Sequence, residues 1–403
     1  MSLKKPICNA PFVNIYIDVD GNVTPCCFNR DDVLGNIFTE NIENIWHSDK
    51  AQNVRKQLLN KQFPKGCYAC EKALQSKNYY NSGIFTFSKL DYKAKHIQAI
   101  DFELSYWCNL SCIMCNLHSK KYSLTYEQEN TIIDKIAPLI PHLKRTRFYG
   151  GEPLLIPIYR KIWKQIIEIN PRCNILLQTN GMLLDDELIE LSRKGNFTFN
   201  VSLDSLDSEV ASKIRKGSQL DIVLNNIQKM KTLSKHDVSL AVTPMTLNWK
   251  EIPEIVKYAN KNKLIVYFNT LIQPPKMALW YLHTKILANI YSIYSKKLLF
   301  PLNYYEFKNM LIFKHFVRSI KNFYILSLTR PNYSDKELEI NRQKIFDALI
   351  KVLPDSGILN DPRLRKKIDE YLYLNKVEDG LWFIQNADLN LLENKLRELL
   401  NNE

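Results

Sequence analysis

Nine cysteines carry the clearest chemical signal in this sequence, because eight of them precede residue 116 of a 403-residue chain. The ninth, Cys173, stands apart and is expected to be a small buried apolar side chain. The chain is long and its first residues show no apolar signal segment, so we expect a reducing compartment. In such a compartment, clustered cysteines indicate metal ligands or redox groups rather than a framework of disulfides.

The segment CNLSCIMC places Cys108, Cys112 and Cys115 in a C-x3-C-x2-C pattern. Three thiolates on a short loop can bind three irons of a [4Fe–4S] cluster, which leaves the fourth iron open to a small molecule. A zinc site is one alternative, with His118 as the fourth ligand that zinc usually requires. Buried cysteines without a metal are the other alternative.

A second set of cysteines lies within the first 75 residues. Cys8 is followed by the adjacent pair Cys26 and Cys27, and then by Cys67 and Cys70 in a C-x2-C pattern. Four thiolates from this set could hold an iron–sulfur cluster or a structural zinc ion, and the spacing alone does not separate the two metals. Only the neighbouring cysteine triplet favours iron.

The elements that must position these groups fall into four regions of the chain. Residues 1–75 form a first unit, in which NIYIDVDGNVTPCC predicts a strand, an Asp-Gly turn and a second strand. Residues 76–97 are a connector, and residues 98–272 alternate strands with helices. Residues 273–403 are predicted to be a mainly helical region of unknown role.

Six strands are predicted in the alternating region, with helical stretches between them. Their bounds are 98–105, 145–150, 174–180, 197–204, 238–243 and 264–270. Alternation of this kind indicates parallel strands joined by crossover helices, and therefore an α/β fold. The length favours a partial barrel or a doubly wound sheet.

Polar side chains recur on one face of these strands. Asp101 and Glu103 share a face of the first strand, since they lie two residues apart. If helices cover the other face of the sheet, Phe102 and Leu104 lie on that outer face, and the polar side chains of the strands line a cavity on the inner face. Asp101 and Glu103 are then candidate catalytic groups, which would favour a substrate that carries amines or hydroxyls. Faces that are merely solvated are the alternative.

The composition, 45% hydrophobic and 24% charged residues, indicates a globular chain and excludes a wholly disordered one. The 55 Lys and Arg against 42 Asp and Glu leave a net charge of +13, which permits a nucleic-acid partner without requiring one. No run of about 18 apolar residues is free of charge, so no membrane helix is expected. No targeting segment is recognised, and the expected location is the cytoplasm.

The cysteine triplet after the first strand, with FYGGEPLL after the second, resembles the radical S-adenosylmethionine (SAM) superfamily over roughly residues 98–270. The resemblance implies a partial (β/α)6 barrel in which the triplet holds a [4Fe–4S] cluster whose open iron binds SAM. Reduction of the cluster cleaves SAM to methionine and a 5′-deoxyadenosyl radical, which abstracts a hydrogen atom from the substrate. The residues that match SAM-contacting positions are Gly150, Gly151, Glu152, Pro153, Asn180, Ser202, Asp204, Arg215 and Met114.

Physical reasons accompany several of these matches. The glycines let the backbone approach a ligand closely, and Glu152 can accept a hydrogen bond from the methionine ammonium. Met114 departs from the aromatic residue that many members carry there, but its thioether can pack against adenine. Arg215 would meet the SAM carboxylate, with a solvated helix charge as the alternative.

The first unit resembles the SPASM/twitch auxiliary-cluster module of many radical SAM enzymes. A lone cysteine, a glycine hairpin, PCC, LGNI, an IW helix and C-x2-C follow in that order. The module usually follows the barrel, but here it precedes it, as in a group of twitch-domain radical SAM proteins. The resemblance implies that Cys8, Cys26, Cys67 and Cys70 hold an auxiliary [4Fe–4S] cluster, with Cys27 as a spare or as the alternative to Cys26.

Two classes of function follow from these observations. The first is a radical SAM enzyme that oxidises, cross-links or epimerises a peptide or small molecule, with a sugar or aminocyclitol dehydrogenase or epimerase as the runner-up. Such an enzyme needs an electron donor such as flavodoxin or ferredoxin. The second is a non-catalytic, metal-stabilised nucleic-acid-binding protein. The basic, aromatic segment 303–327 could contact nucleic acid, but its hydrophobic periodicity fits a helix packed in the core better.

Overall fold

The structure is a computed structural model that describes residues 5–75, 82–115, 124–297, 301–331, 333–354 and 356–401. Its strands are β1 (Asn14–Asp18), β2 (Asn22–Thr24), β3 (Gly35–Asn36), β4 (Ala99–Glu103), β5 (Ser111–Cys112), β6 (Arg145–Phe148), β7 (Asn174–Thr179), β8 (Asn196–Ser202), β9 (Arg215–Lys216), β10 (Ser239–Val242) and β11 (Ile265–Phe268).

The helices begin in the first unit with α1 (Ala10–Val13), α2 (Ile42–His47), α3 (Asp49–Leu59), α4 (Tyr68–Gln75) and α5 (Gly83–Phe87). Those of the alternating region are α6 (Tyr126–Ile136), α7 (Pro157–Ile169), α8 (Asp186–Lys194), α9 (Ser208–Ile214), α10 (Leu220–Leu233) and α11 (Ile252–Lys261). The remaining helices are α12 (Thr284–Ser295), α13 (Tyr304–Ser327), α14 (Asp335–Val352), α15 (Arg363–Leu374), α16 (Val377–Asn386) and α17 (Leu389–Asn401).

One sheet of nine strands organises the first two thirds of the chain, in the order β11-β10-β8-β7-β6-β4-β1-β2-β3. From β4 to β11 the strands are parallel and follow one another in chain order. A sheet that is wound in one direction in this way curves towards a barrel. The predicted α/β fold with six parallel strands and a helical C-terminal region is confirmed.

Helices cover the outer face of the sheet, as the strand alternation predicts. Phe102 is fully buried and stacks on Phe148 of the neighbouring strand, with ring centroids 5.1 Å apart. Phe148 in turn meets Tyr159 and Trp163 of α7. Because side chains alternate along a strand, Asp101 and Glu103 point to the opposite, inner face.

The first unit is not a separate body, because β1 pairs in parallel with β4 and extends the barrel sheet. The register sets Tyr16 beside Asp101 and Asp18 beside Glu103. The predicted hairpin forms at Asp20 and Gly21, where Gly21 has φ +77°, a backbone conformation that glycine adopts without strain. Sequence reasoning did not include this strand in the barrel.

The helical region that follows the barrel closes the edge strand β11. Asn309 of α13 accepts a hydrogen bond from the Val266 amide at 2.9 Å and donates one to the Leu264 carbonyl at 2.8 Å. These bonds satisfy backbone groups that an unpaired edge would expose. Ile312 and Phe313 of α13 are buried in the main core, so α13 is a core helix, as the periodicity of segment 303–327 favours.

Helices α14 to α17 enclose an apolar core of their own, in which Leu349, Ile368 and Leu372 are buried. The Lys276–Glu370 ion pair, with N and O 3.0 Å apart, and a contact between the Tyr281 and Tyr373 rings link this bundle to the segment after β11. Among the described residues, none of the helices has the length and apolarity needed to cross a membrane.

Candidate active site

A cavity of about 680 Å³ opens where the barrel strands end. Its wall combines the cysteine loop, the glycine segment after β6, the ends of β7 and β8, and part of the first unit. The predicted site residues that line it are Glu103, Cys108, Cys112, Met114, Cys115, Gly150, Gly151, Asn180, Ser202 and Arg215. The predicted residues outside its wall are Asp101, Glu152, Pro153 and Asp204.

A short two-stranded sheet sets the geometry of the cysteine loop. Strand β5 pairs with β9, so that Cys112 lies directly opposite Arg215. The Arg215 Nη1 donates to the Cys112 sulfur at 3.7 Å, and its Nε donates to Asp204 at 2.7 Å. Asp204 therefore holds the guanidinium beside a cluster-ligand candidate, and Arg215 is not a solvated helix charge.

The glycine segment is pressed against the backbone of the cysteine loop. Gly151 donates to the Ser105 carbonyl at 3.0 Å, and the Glu152 amide donates to the Trp107 carbonyl at 2.8 Å. A Cβ on Gly151 would lie 1.9 Å from the Trp107 oxygen, and Gly150 has φ +110°. Glycine is thus required at positions 150 and 151 by the contact between the glycine segment and the cysteine loop, before any ligand binds.

Glu152 lies behind the cavity wall and is only 1% exposed. Its carboxylate accepts hydrogen bonds from the Thr179 hydroxyl and the Asn180 amide, each at 2.8 Å. Burial raises the pKa of Glu152 to about 7. In this geometry Glu152 holds the backbone of Asn180, which lines the cavity, and its contact with the methionine ammonium stays a prediction.

Glu103 faces the cavity but is already paired. Arg30 Nη2 lies 2.6 Å from its Oε2, and the Tyr16 hydroxyl donates to the same oxygen. Asp101 is fully buried and is paired with Arg147, whose Nε lies 2.6 Å from its Oδ1. Glu103 and Asp101 are thus both paired with arginines rather than free to bind a substrate amine. These two residues therefore do not support the predicted preference for an amine-bearing substrate.

A second, closed cavity collects four cysteines of the first unit, Cys8, Cys26, Cys67 and Cys70. Backbone amides of Ala10 and Gly83 donate to the sulfurs of Cys8 and Cys70, at 3.4 and 3.2 Å. Burial raises the pKa of the Cys8 thiol to about 12, so a thiolate there requires compensation by bound cations. Four thiols around one cavity, two of them with backbone amide donors, are a ligand set that suits an iron–sulfur cluster.

Zinc was the alternative at both cysteine sets. In the described ranges, no group of three or more His, Cys, Asp or Glu side chains is arranged to hold a metal ion, so side-chain geometry does not separate zinc from iron at either set. His118, the ligand considered for zinc at the triplet, lies outside the described residues.

Cys27, Phe28 and Arg30 line the active-site cavity and were not predicted to do so. Cys26 and Phe28 line the closed cavity of the four cysteines, so Cys26–Cys27–Phe28 is a wall shared by both cavities. Cys26 and Cys27 begin a tight turn, which the backbone amide of Asn29 closes by donating to the Cys26 carbonyl at 3.0 Å. The pair of neighbouring cysteines was therefore a signal that could have indicated two sites, with Cys26 facing one and Cys27 the other.

Comparison with known relatives assigns families to two stretches of the chain. The radical SAM superfamily model matches residues 102–259. The iron–sulfur cluster-binding domain called SPASM matches residues 8–71. These matches indicate SAM, a [4Fe–4S] cluster and an additional iron–sulfur cluster as cofactors, and they indicate an enzyme.

GTP 3′,8-cyclase of Clostridium botulinum (strain Hall) is 27% identical over 190 residues, which cover 45% of this chain and 59% of that protein. Probable GTP 3′,8-cyclase of Methanocaldococcus jannaschii is 29% identical over 167 residues, with coverage of 41% and 55%. The chain therefore spans less than two thirds of the length of these curated relatives.

Two solved structures align with part of the chain. Native anSMEcpe with bound AdoMet and Cp18Cys peptide is 20% identical, with a TM-score of 0.41 over 49% of this chain and 60% of that chain. Streptococcus suis SuiB bound to S-adenosylmethionine is 15% identical, with a TM-score of 0.40 over 63% and 60%. From the family matches, residues 102–259 form a radical SAM domain, and residues 8–71 form a SPASM iron–sulfur domain that precedes it.

Proposed function

We propose that this enzyme abstracts a hydrogen atom from a peptide or small molecule bound in the 680 Å³ cavity and exchanges an electron with an auxiliary cluster next to it. The observation that carries the proposal is the wall Cys26–Cys27–Phe28, which the two cavities share. Bound SAM with the reduced cluster would supply a 5′-deoxyadenosyl radical.

Residues of the chain would bind and orient SAM in this cavity. Cys108, Cys112 and Cys115 would hold the cluster, and Arg215, fixed by Asp204, would attract the carboxylate of SAM. The backbone of Gly150 and Gly151 and the side chains of Asn180, Ser202 and Met114 would form the rest of its pocket.

The shared wall supports a redox role for the auxiliary cluster. Cys26 and Cys27 are consecutive, so their Cα atoms are about 3.8 Å apart. A cluster held by Cys8, Cys26, Cys67 and Cys70 would thus lie one residue from the substrate cavity. It could accept an electron from a substrate radical, which suits oxidation or cross-linking, or deliver one, which suits epimerisation.

The substrate class is a peptide or a small polar molecule. Arg30 lies on the cavity wall with about half of its side chain exposed, and its guanidinium offers donors that fit peptide carbonyls. Gln178 and Ser202, also on the wall, keep a hydroxyl-rich sugar or aminocyclitol as the second candidate. The external electron donor would be a flavodoxin or a ferredoxin.

Iron counting and SAM cleavage test the proposal without a known substrate. Anaerobically reconstituted protein should bind about eight irons, and dithionite should release 5′-deoxyadenosine from SAM. Replacement of Cys108, Cys112 and Cys115 by Ala should leave about four irons and abolish cleavage, because the SAM-binding cluster is lost.

Cys173→Ala is the matched control, since Cys173 is buried away from both cavities. It should keep all the iron and full cleavage. One zinc ion at the auxiliary cysteines, found by metal analysis beside four irons, would contradict the electron-exchange half of the proposal. Cleavage by the triple Ala variant would contradict the assignment of the SAM site.

A further inference from the structure

We propose that the thiol of Cys27 donates a hydrogen atom to a carbon radical in the active-site cavity, an inference that rests on the proposed function. Cys27 lines this cavity together with the three cysteines of the cluster loop. It is partly exposed there, whereas Cys26 is 5% exposed and faces the closed cavity.

No cluster needs the Cys27 sulfur as a ligand. The closed cavity already collects four cysteines, the number that completes a [4Fe–4S] cluster. The loop from Cys108 to Cys115 supplies the three ligands that leave one iron open. Cys27 therefore keeps its S–H bond while it faces the space in which the substrate is held.

Surrounding groups fix the Cys27 sulfur on the cavity wall. The Tyr149 hydroxyl bonds to it, and Arg147 Nη2 lies 3.5 Å from it. Arg147 is itself held by the fully buried Asp101. Arg30 Nε donates to the Cys27 carbonyl at 3.3 Å, which anchors the backbone. Asp101, which was predicted to touch substrate, therefore holds Arg147, and Arg147 in turn holds the Cys27 thiol in place.

The chemistry of the thiol suits this place. An S–H bond is weaker than an aliphatic C–H bond, so transfer of its hydrogen atom to a carbon radical is favourable, whereas an alcohol O–H bond is too strong. In the step, the Cys27 S–H bond breaks homolytically and a C–H bond forms on the substrate carbon. The carbon radical is reduced to C–H, and Cys27 becomes a thiyl radical.

One electron and one proton restore the thiol. The electron would come from the flavodoxin-type or ferredoxin-type donor through the auxiliary cluster, whose ligand Cys26 is the preceding residue. The proton would come from Tyr149 or from solvent in the cavity. Because the substrate carbon regains a hydrogen atom on the face opposite to the one that lost it, no oxidised product accumulates. Of the proposed net reactions, which are oxidation, cross-linking and epimerisation, this step fits epimerisation.

Thiol alkylation tests the placement in the reconstituted protein, with iodoacetamide as the probe and peptide mass spectrometry as the readout. Cys27 should be the cysteine that is modified, and SAM should slow its modification several-fold. The buried Cys173 and the cluster ligands should react at least tenfold more slowly. An unmodified Cys27 beside a modified cysteine of the closed cavity would overturn the inference, because Cys27 would then be the ligand.

Solvent deuterium tests the transfer with SAM as the only added ligand. Under dithionite in D2O, the exchanged thiol of Cys27 should pass deuterium into 5′-deoxyadenosine. The deuterated fraction per 5′-deoxyadenosine formed should fall about tenfold in Cys27→Ser, which keeps an exchangeable hydrogen in a stronger bond. Cys173→Ser is the matched control and should equal the wild type.

The outcomes separate this inference from the function on which it rests. Formation of 5′-deoxyadenosine with an equal deuterated fraction in wild type and Cys27→Ser would overturn the hydrogen-atom donor alone. Absence of 5′-deoxyadenosine from the wild-type protein would overturn the proposed function, and the inference with it.

Discussion

At the scale of single residues, three buried carboxylates lie outside the wall of the active-site cavity and hold residues on or next to that wall. Glu152 binds the Asn180 amide, Asp204 binds Arg215, and Asp101 binds Arg147. Each buried charge has hydrogen-bonding partners, which is the condition under which burial is tolerated. The positions of the cavity-lining side chains therefore depend on these carboxylates.

The burial of Glu152 should make the free energy of unfolding depend on pH. Burial raises its pKa from an ordinary value near 4.5 to about 7 in the folded chain. The folded state then binds more protons than the unfolded state between these values, so the stability that Glu152 contributes is lost as pH rises from about 4.5 through 7.

We expect melting temperatures between pH 5 and pH 8 to fall more steeply for the wild type than for Glu152→Gln, which has no proton to lose. Glu187→Gln is the matched control, because Glu187 is exposed at the surface beside Lys164. Parallel curves for wild type and Glu152→Gln would show that Glu152 ionises with an ordinary pKa.

At the scale of elements, the glycine segment and the cysteine loop form one unit. The amide of Gly151 and the carbonyl of Ser105 join them, and a Cβ on Gly150 would lie 2.1 Å from that carbonyl oxygen. Sequence reasoning assigned the glycines to the approach of SAM alone. In the structure, any side chain on Gly151 moves the loop that carries Cys108, so a defect in SAM binding and a defect in cluster binding should appear together.

Gly151→Ala should lower the iron content by up to about four per chain, because the added Cβ would displace the cysteine loop. Iron and sulfide analysis of the reconstituted protein measures this loss. Gly357→Ala is the matched control, since nothing lies within 4 Å of the Cβ that it adds. If Gly151→Ala keeps its full iron content but binds SAM more weakly, the prediction is wrong and the glycine contacts SAM rather than supporting the cysteine loop.

At the scale of the whole molecule, the two ends of the chain differ in how they join the barrel. The SPASM unit contributes β1 to the central sheet, and Ile15 and Ile17 to its main core. The bundle from α14 to α17 has a core that shares no residue with that main core in the described part of the chain. The first unit is thus integral to the barrel, whereas the bundle is an appended domain.

Truncation should separate these two modes of attachment. A chain that ends at residue 331 should retain about eight irons and a cooperative unfolding transition, because the main core is complete without the bundle. A chain that begins at residue 76 should lose cooperative unfolding, since the edge of β4 and its apolar partners are exposed. Circular dichroism during thermal unfolding measures both, and a cooperative transition in the second chain would contradict the integral role of the first unit.

Local patterns in the sequence determined much of this protein by themselves. Alternation with period two defined the six barrel strands and the inward face of Glu103, because side-chain direction in a strand depends only on the neighbouring residues. Cysteine spacing indicated two separate sets of cysteines, which line two different cavities in the structure, since a metal site needs several thiolates within a short reach.

Only the tertiary structure decided which of these groups are free to act. The parallel pairing of β1 with β4 joins residues more than 80 positions apart, and no local pattern encodes such a partner. That pairing brings Tyr16 and Arg30 to Glu103 and turns Cys27 towards the substrate cavity. Whether a carboxylate is a free ligand or a paired support depends on contacts through space, which the spacing of residues along the chain does not contain.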